Sequence, residues 1–397
     1  MTTVDLASPD TFATGVPHDA LADLRRTRPV HFQEMKGQPG FWAVLRHADV
    51  VHVAREPRLF SASEGGVVVE DLAPNQLEMM RGMLLAMDPP RHTDYRKPLS
   101  DRFKARVIAG LEPAIRAVCE DILATAADKG EVEFVHDVTS GLPSRVIGEL
   151  MGLPEEDWPH IHELAERNTS GQDDDAGSGE PSSASVEMAM YAIAFAARRR
   201  AEPVREDLTS FILGSDFNGK PMDDIDFAKF FVQLVTAGND TTKTMLSSGL
   251  LALLQHPDQL DRLRADPSLV PGAVEEILRW ANPLHYFRRT ATADTEIRGV
   301  RIRAGEKVAM YYTSANRDED VFADAHRFDI ERHPNVHLSF GIGPHFCLGV
   351  HLARLEGRVF FEELLATFAS IELGGEPVRV RSNLNNGLKR LPVRLGR

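Results

Sequence analysis

The sequence predicts a mainly α fold with small β-sheets, on three observations. Apolar residues recur at helical spacing through most of the chain, with the longest run from 223 to 255. Alternation of apolar and polar residues is confined to short stretches, 30–32, 40–45, 132–138, 297–302 and 307–312, and to the tail 371–397. The composition, 43% hydrophobic and 26% charged, is that of an ordinary globular protein.

Taken in order, a short amphipathic helix at 17–28 leads into strands at 30–32 and 40–45. A helix at 46–55 ends before Pro57. Residues 61–72 read as a surface loop, with Val67, Val68 and Val69 exposed. Asp88-Pro89-Pro90-Arg91-His92 opens a helix in which Pro98 predicts a kink or an early end. Helices follow at 111–127, where Cys119 reads as a small core residue, at 142–151, and at 159–167 and 186–200. The last two flank 170–185, the only low-complexity stretch. The helix at 223–255 would be roughly 50 Å long; Asp223 and Asp226 suit its first turn, and His256-Pro257 stops it. Further helices start at Pro271-Gly272 and span 350–368, and Asn385-Asn386-Gly387 marks a tight turn in the tail.

Bulk properties exclude several functions. A net charge of −14 speaks against a general nucleic-acid binder. Two cysteines cannot build a disulfide framework and suit a reducing compartment. The first residues lack a signal-peptide profile. No apolar run reaches the ~18 residues of a membrane span, so a cytoplasmic protein is expected. Length alone would suggest two or three domains. No separate core pattern divides the chain at 170–185, however, and a single body over 1–397 is expected.

Two segments break local rules. Ala237-Gly238-Asn239-Asp240-Thr241-Thr242 lies mid-helix, where Gly costs ~1 kcal/mol against Ala and Asn, Asp and Thr compete for the helix's own hydrogen bonds. The plain reading is a harmless kink; the other is function. Phe340-Gly341-Ile342-Gly343-Pro344-His345-Phe346-Cys347-Leu348-Gly349 sets a cysteine among glycines ahead of a helix. Glycine lets backbone approach a flat, bulky group, and a helix N-terminus aimed at sulfur favours the thiolate. A zinc site has less support, because His337, His345, Cys347 and His351 lack paired short spacings.

The ten-residue string resembles the haem-binding signature of the cytochrome P450 family. Four further motifs agree with it in order: His92 with Arg96, the 237–242 segment, Glu276 with Arg279, and the arginine pair Arg288-Arg289. The resemblance runs from about Val30 to Leu395 and implies the cytochrome P450 fold with haem b (iron protoporphyrin IX) as cofactor. Cys347 would be the axial iron ligand, in a signature that begins at Phe340. His92, Arg96, His345 and Arg289, favoured over Arg288 by register, would hold the haem propionates. Gly238 would leave room for dioxygen, and Asp240 and Thr241 would deliver protons to it. Asn239 receives no role. Glu276, Arg279 and Arg332 would form a buried scaffold, although Glu275 competes with Glu276 on spacing alone. Residues 61–72 and 170–185 would roof the pocket and gate it, and the 385–387 turn would dip into it.

The implied reaction inserts one atom of O2 into a C–H bond of a hydrophobic small molecule. Without a flavin or NAD fingerprint, the electrons must come from outside. A ferredoxin-type donor with its reductase is expected, docking on Arg96, Lys97, Arg102, Lys104, Arg106, Arg354 and Arg358. A lining of Leu84, Val235, Leu284, Tyr286, Phe287 and Leu388 is expected. The segments 87–90 and 386–394 look like the branch acting on steroids, terpenoids and branched lipids. A polyketide or macrolide is the rival substrate, and a haem-binding sensor or carrier the rival class, against which Asp240 and Thr241 speak. A monomer is expected.

Overall fold

The computed structural model describes residues 4–169, 181–217 and 219–397. Its principal helices are α1 (His47–Arg55), α2 (Arg91–Ser100), α3 (Glu112–Lys129), α4 (Gly141–Met151), α5 (Trp158–Thr169), α6 (Pro181–Ala201), α7 (Leu208–Gly214), α8 (Asp224–Gln255), α9 (Val270–Trp280) and α10 (Val350–Thr367). The strands are β1 (Val30–Met35), β2 (Gln38–Val44), β3 (Phe60–Ser61), β4 (Glu131–Glu133), β5 (Tyr286–Ala291), β6 (Thr295–Ile297), β7 (Val300–Ile302), β8 (Lys307–Tyr311), β9 (Ser370–Leu373), β10 (Val378–Arg379), β11 (Leu388–Arg390) and β12 (Pro392–Gly396). The predicted mainly α architecture with small sheets is the one observed.

The helix α8 is the spine. Its N-cap Asp223 accepts a hydrogen bond from the Asp226 amide, and no break interrupts it before His256. It packs against α4, α5, α6, α9 and α10, which buries Phe227, Phe231, Val235, Leu246 and Leu250. Burial of that kind, at roughly 25 cal/mol per Å² of apolar surface, holds a helix together where its own propensity is weak. In α2, Pro98 is accommodated inside the helix, which ends two residues later at Ser100.

One sheet, in the order β1-β2-β8-β5-β3, joins early and late parts of the chain. β2 runs parallel to β8, with Trp42 opposite Val308, and β5 antiparallel to it, with Arg289 opposite Val308. β8 was expected to alternate, but all five of its residues are buried. A central strand covered on both faces has no polar side to show.

Three local expectations need correction, and one strand went unread. The stretch 132–138 is one short strand paired to β12 and then a π-helical turn at Val135–Thr139, which buries Val135 and Val138 together. The stretch 297–302 is a hairpin, not a strand: Arg298 and Gly299 both take left-handed φ, 51° and 77°, at its two-residue turn. Val67 and Val69 are buried rather than exposed, because their loop runs beside β5: the Arg288 amide donates to the Val67 carbonyl, and the Val69 amide to the Tyr286 hydroxyl. The strand β5 itself, Tyr286–Ala291, carries too little alternation to be read from sequence. The stretch 170–180 lies outside the described residues.

Candidate active site

The signature loop folds back on itself before α10. The Cys347 amide donates to the Phe340 carbonyl at 2.8 Å, and the Gly341 amide to Leu338 at 2.8 Å. Gly341 and Gly343 both adopt left-handed φ, 66° and 76°. Their needs differ. A Cβ on Gly343 would sit 2.6 Å from the Ala54 carbonyl oxygen, so that glycine serves the packing of the loop on α1. Gly341 and Gly349 instead border a cavity that also contains Cys347.

Cys347 corrects one expectation. The Gly349 amide hydrogen-bonds its sulfur, and Arg96 and Arg354 favour the thiolate, but burial outweighs all three and pushes the thiol's pKa up. The protein alone keeps Cys347 a thiol; a metal bonded to the sulfur would reverse that balance.

Around one end of the cavity stand His92, Arg96, Arg289 and His345. The two imidazole rings lie 4.3 Å apart. Burial first, then the neighbouring arginines, pushes His92 down to about 4 and His345 to about 2. Both Nε2 atoms are buried with no hydrogen-bond partner among the described residues. Arg289 is buried and donates to the Arg288 carbonyl at 2.8 Å; Arg96 donates to the Phe346 carbonyl at 2.5 Å. Buried donors and orphaned ring nitrogens in this number call for anionic acceptors, so the residues present fit the two carboxylates of a haem. Phe340 also lines the cavity, with the Arg354 guanidinium 5.0 Å from its ring centroid.

Strand geometry separates the two arginines of β5. Side chains alternate across a sheet, so Phe287 and Arg289 share the cavity face. Tyr286 and Arg288 share the other: Arg288 reaches Asp71 and the Val68 carbonyl, and Tyr286 donates to Asn383. The expected lining is corrected accordingly. Leu84, Leu284 and Phe287 line the cavity; Tyr286, Val235 and Leu388 are buried in packing elsewhere. The turn at 385–387 also stays out of it. Asn386 donates to the Asn282 carbonyl, and a Cβ on Gly387 would lie 3.0 Å from Thr244 Oγ1 on α8.

Each weak helix former in the middle of α8 has a distinct neighbour. Gly238 lines the cavity; a Cβ there would lie 3.3 Å from Ile147 Cδ1 of α4. Thr241 also lines the cavity, its hydroxyl donating to the Ala237 carbonyl at 2.7 Å. Thr242 donates to Glu356 of α10, a fully buried acid that burial pushes up to about 8. Asn239 turns away from the cavity and accepts from Ser144 of α4 at 2.6 Å. Asp240 turns away too. It pairs with Lys243 at 3.2 Å, and Lys243 pairs with Glu166 of α5 at 3.3 Å. The structure thus brings Gly238, Thr241, Cys347, His345, His92, Arg96, Arg289 and Phe340 together, and sets Asp240 on the neighbouring face toward α5.

Behind the loop, Glu276 and Arg279 form two bonds of 2.7 and 2.8 Å with both side chains fully buried, and Arg332 joins them at 3.2 Å. Glu275 does not compete. It takes Arg354 at 2.7 Å and His337 at 3.2 Å, contacts that hold its carboxyl down at about 2 although burial opposes them. These pairings shrink the expected basic patch. Arg354 is engaged with Glu275, Arg358 with Glu112 and Glu362, and Arg96 is turned into the cavity. Lys97, Arg102, Lys104 and Arg106 remain exposed, Lys104 in a solvent-facing ion pair with Asp101 at 2.6 Å.

Sequence reasoning missed Lys243, Glu166 and Glu356. Lys243 carried a signal, since it stands three residues after Asp240 on one helix. Glu356 carried none, because a glutamate on an amphipathic helix reads as solvated.

Comparison with known proteins agrees with this geometry. The family model described as cytochrome P450 matches residues 188–392. A steroid C26-monooxygenase of Mycolicibacterium smegmatis is 36% identical over 388 residues, covering 95% of this chain and 90% of that protein. A methyl-branched lipid omega-hydroxylase of Mycobacterium tuberculosis is 37% identical over 406 residues, covering 98% and 94%. The solved structure of a Mycobacterium marinum cytochrome P450 in complex with pseudoionone superposes with a TM-score of 0.91 at 38% identity, covering 98% of each chain. The chain belongs to the cytochrome P450 family, a monooxygenase with haem b as its cofactor.

Proposed function

We propose that this enzyme hydroxylates an apolar molecule of the steroid, terpenoid or branched-lipid kind. The observation that carries the reading is the cavity lining away from the cationic end: Leu84, Val146, Ile147, Phe230, Leu234 and Phe287 offer no charge. The activities named for the two relatives, and the pseudoionone held by the solved neighbour, support it.

In this reading Cys347 holds the iron, and His92, Arg96, Arg289 and His345 hold the propionates. Bound haem supplies the oxidising chemistry from dioxygen and two electrons. The chain's own residues do the rest. Gly238 keeps the wall of α8 thin beside Cys347's cavity. The Thr241 hydroxyl, already donating to Ala237, accepts and passes protons at Oγ1. Asp240 takes up protons on the α5 side, where Lys243, itself paired with Glu166, holds its carboxylate. The apolar walls exclude water from the reacting carbon.

The electron donor in this reading is a ferredoxin with its reductase, docking on Lys97, Arg102, Lys104 and Arg106. An acidic partner would be steered there by charge. The chain works as one body over 1–397, which the pairing of β2 with β8 supports, and as a monomer in the cytoplasm. No helix among the described residues is long and apolar enough to cross a membrane.

The test is spectroscopic. The reduced carbon-monoxide adduct should show the far-shifted Soret band, and Cys347→Ser should lose it. Steroids, terpenoids and branched fatty acids should then be screened for the spin-state change that follows displacement of iron-bound water. Absence of the band would sink the thiolate assignment. Absence of any spin change across the panel would sink the substrate class.

A further inference from the structure

Away from the signature loop, from the cationic end with Tyr312, and from Thr241, Thr242 and Glu356, the cavity lining carries one polar side chain, two turns from Thr241 along α8. Gln233 lines the cavity, and its Oε1 is buried with no hydrogen-bond partner among the described residues. Its neighbours on the same helical face, Phe230 and Ala237, line the cavity as well. The side chains that α4 contributes to the same cavity, Pro143, Val146 and Ile147, have no polar atom to offer. A buried amide oxygen left unpaired is costly and rare in a native protein. Nothing in the architecture of α8 requires an amide at this position, since a leucine would suit both the helix and the wall.

We propose that Gln233 is a specificity-determining residue that accepts a hydrogen bond from a hydroxyl group of the substrate. The proposal rests on the apolar-substrate reading above and narrows it. Gln233 lies eight residues before Thr241, which is about 12 Å along the helix axis. The substrate is therefore an alcohol whose oxidised carbon and hydroxyl sit near opposite ends of an otherwise apolar skeleton. A sterol or a chain terpenoid alcohol meets that description; a hydrocarbon, or a compact bicyclic alcohol, does not.

The experiment compares matched pairs on the haem-loaded enzyme. Farnesol is set against its deoxy hydrocarbon, and cholesterol against 5-cholestene. Dissociation constants come from spin-state titration and, independently, from calorimetry. Each alcohol should bind at least about tenfold more tightly than its deoxy partner, which corresponds to about 1.4 kcal/mol. Gln233→Leu should erase that preference and bind the hydrocarbons at least as well as the unaltered enzyme does, with the carbon-monoxide band unchanged. Equal affinities within each pair, or a preference that survives in Gln233→Leu, would overturn the assignment while leaving the apolar-substrate reading intact. A preference for the matching ketones over the alcohols would overturn the acceptor role. Failure of every alcohol and hydrocarbon to bind would overturn the apolar-substrate reading, and this assignment with it.

Discussion

Thr241 can donate only one hydrogen bond, and within the helix it gives that bond to the Ala237 carbonyl. Its lone pairs therefore face the cavity as acceptors until the hydroxyl rotates. That geometry suits the proton-carrying role proposed for it and separates it from Thr242, whose hydroxyl is committed to Glu356. Thr241→Ala should let electrons and dioxygen be consumed while product per electron falls by at least about tenfold, at the low end for loss of a positioned proton donor. Product, NADPH and peroxide measured together check this, and Thr241→Ser should restore most of the yield. A full product yield in the alanine variant would remove Thr241 from the proton path. That Cys347, His92, Arg96 and Arg289 belong to one site was legible in the sequence because each sits in a short motif resembling the family's. The orientation of Asn239 and Asp240 was not. It depends on Ser144, 95 positions before Asn239, and on Glu166, on a helix whose approach to α8 no local pattern encodes.

Two elements are tied to the core by charge, and the two ties differ in strength. Glu276 on α9 is fully buried between Arg279 and Arg332, and also accepts from the Asp329 amide and Asn335. Removing its charge strands two buried guanidiniums. Glu276→Gln should cost about 3 kcal/mol or more of stability, seen in urea unfolding and in reduced haem retention. The second tie joins α5 to α8 through Glu166–Lys243–Asp240, with His162 beside Glu166 at 3.7 Å. These groups are 15 to 31% exposed on their side chains, so solvent screens them and Lys243→Met should cost only about 1–2 kcal/mol. A double-mutant cycle with Glu166→Gln should show a coupling of at least about 0.5 kcal/mol; strict additivity would show that the tie does not hold the helix. Most helices were legible as elements because each buries one apolar stripe. The strand β5 and the hairpin β6–β7 were not: β5 is buried on most of its residues, which removes the alternation, and the hairpin turns on Arg298, a residue seldom found at positive φ.

At the scale of the whole molecule, several buried groups with displaced pKa values combine to set the pH dependence of stability. Burial pushes His285 down to about 3 and His18 to about 2, against an unfolded value near 6.5. A group depressed in the folded state lends stability that is complete above pH 6.5 and drains away as pH falls toward its folded pKa. Glu356 acts in the opposite sense. Raised to about 8 from 4.5, it lends stability that is complete below pH 4.5 and drains away as pH climbs through 8. Between pH 4.5 and 6.5 the unfolded chain binds two extra protons on His18 and His285 and one fewer at Glu356, a net of one proton from these three groups; His92 and His345, depressed likewise, add to it wherever no propionate meets them. Stability should therefore rise by at least about 1.4 kcal/mol per pH unit across that window. Below pH 4.5 Glu275 and Glu319, both held near 2 by their cationic partners, steepen the fall. Above pH 6.5 only Glu356 remains among these groups, and stability should decline at a similar slope. The maximum is thus expected near pH 6.5, in urea melts of the haem-loaded enzyme run from pH 5 to 8. His285→Gln should flatten the acid limb without moving the alkaline one, whereas Glu356→Gln should abolish the alkaline decline and steepen the acid limb, from a net of one proton to two. If Glu356→Gln left the alkaline decline untouched, the acid on α10 would have to be ionised at neutral pH, and its bond from Thr242 would then pair a hydroxyl with a buried charge.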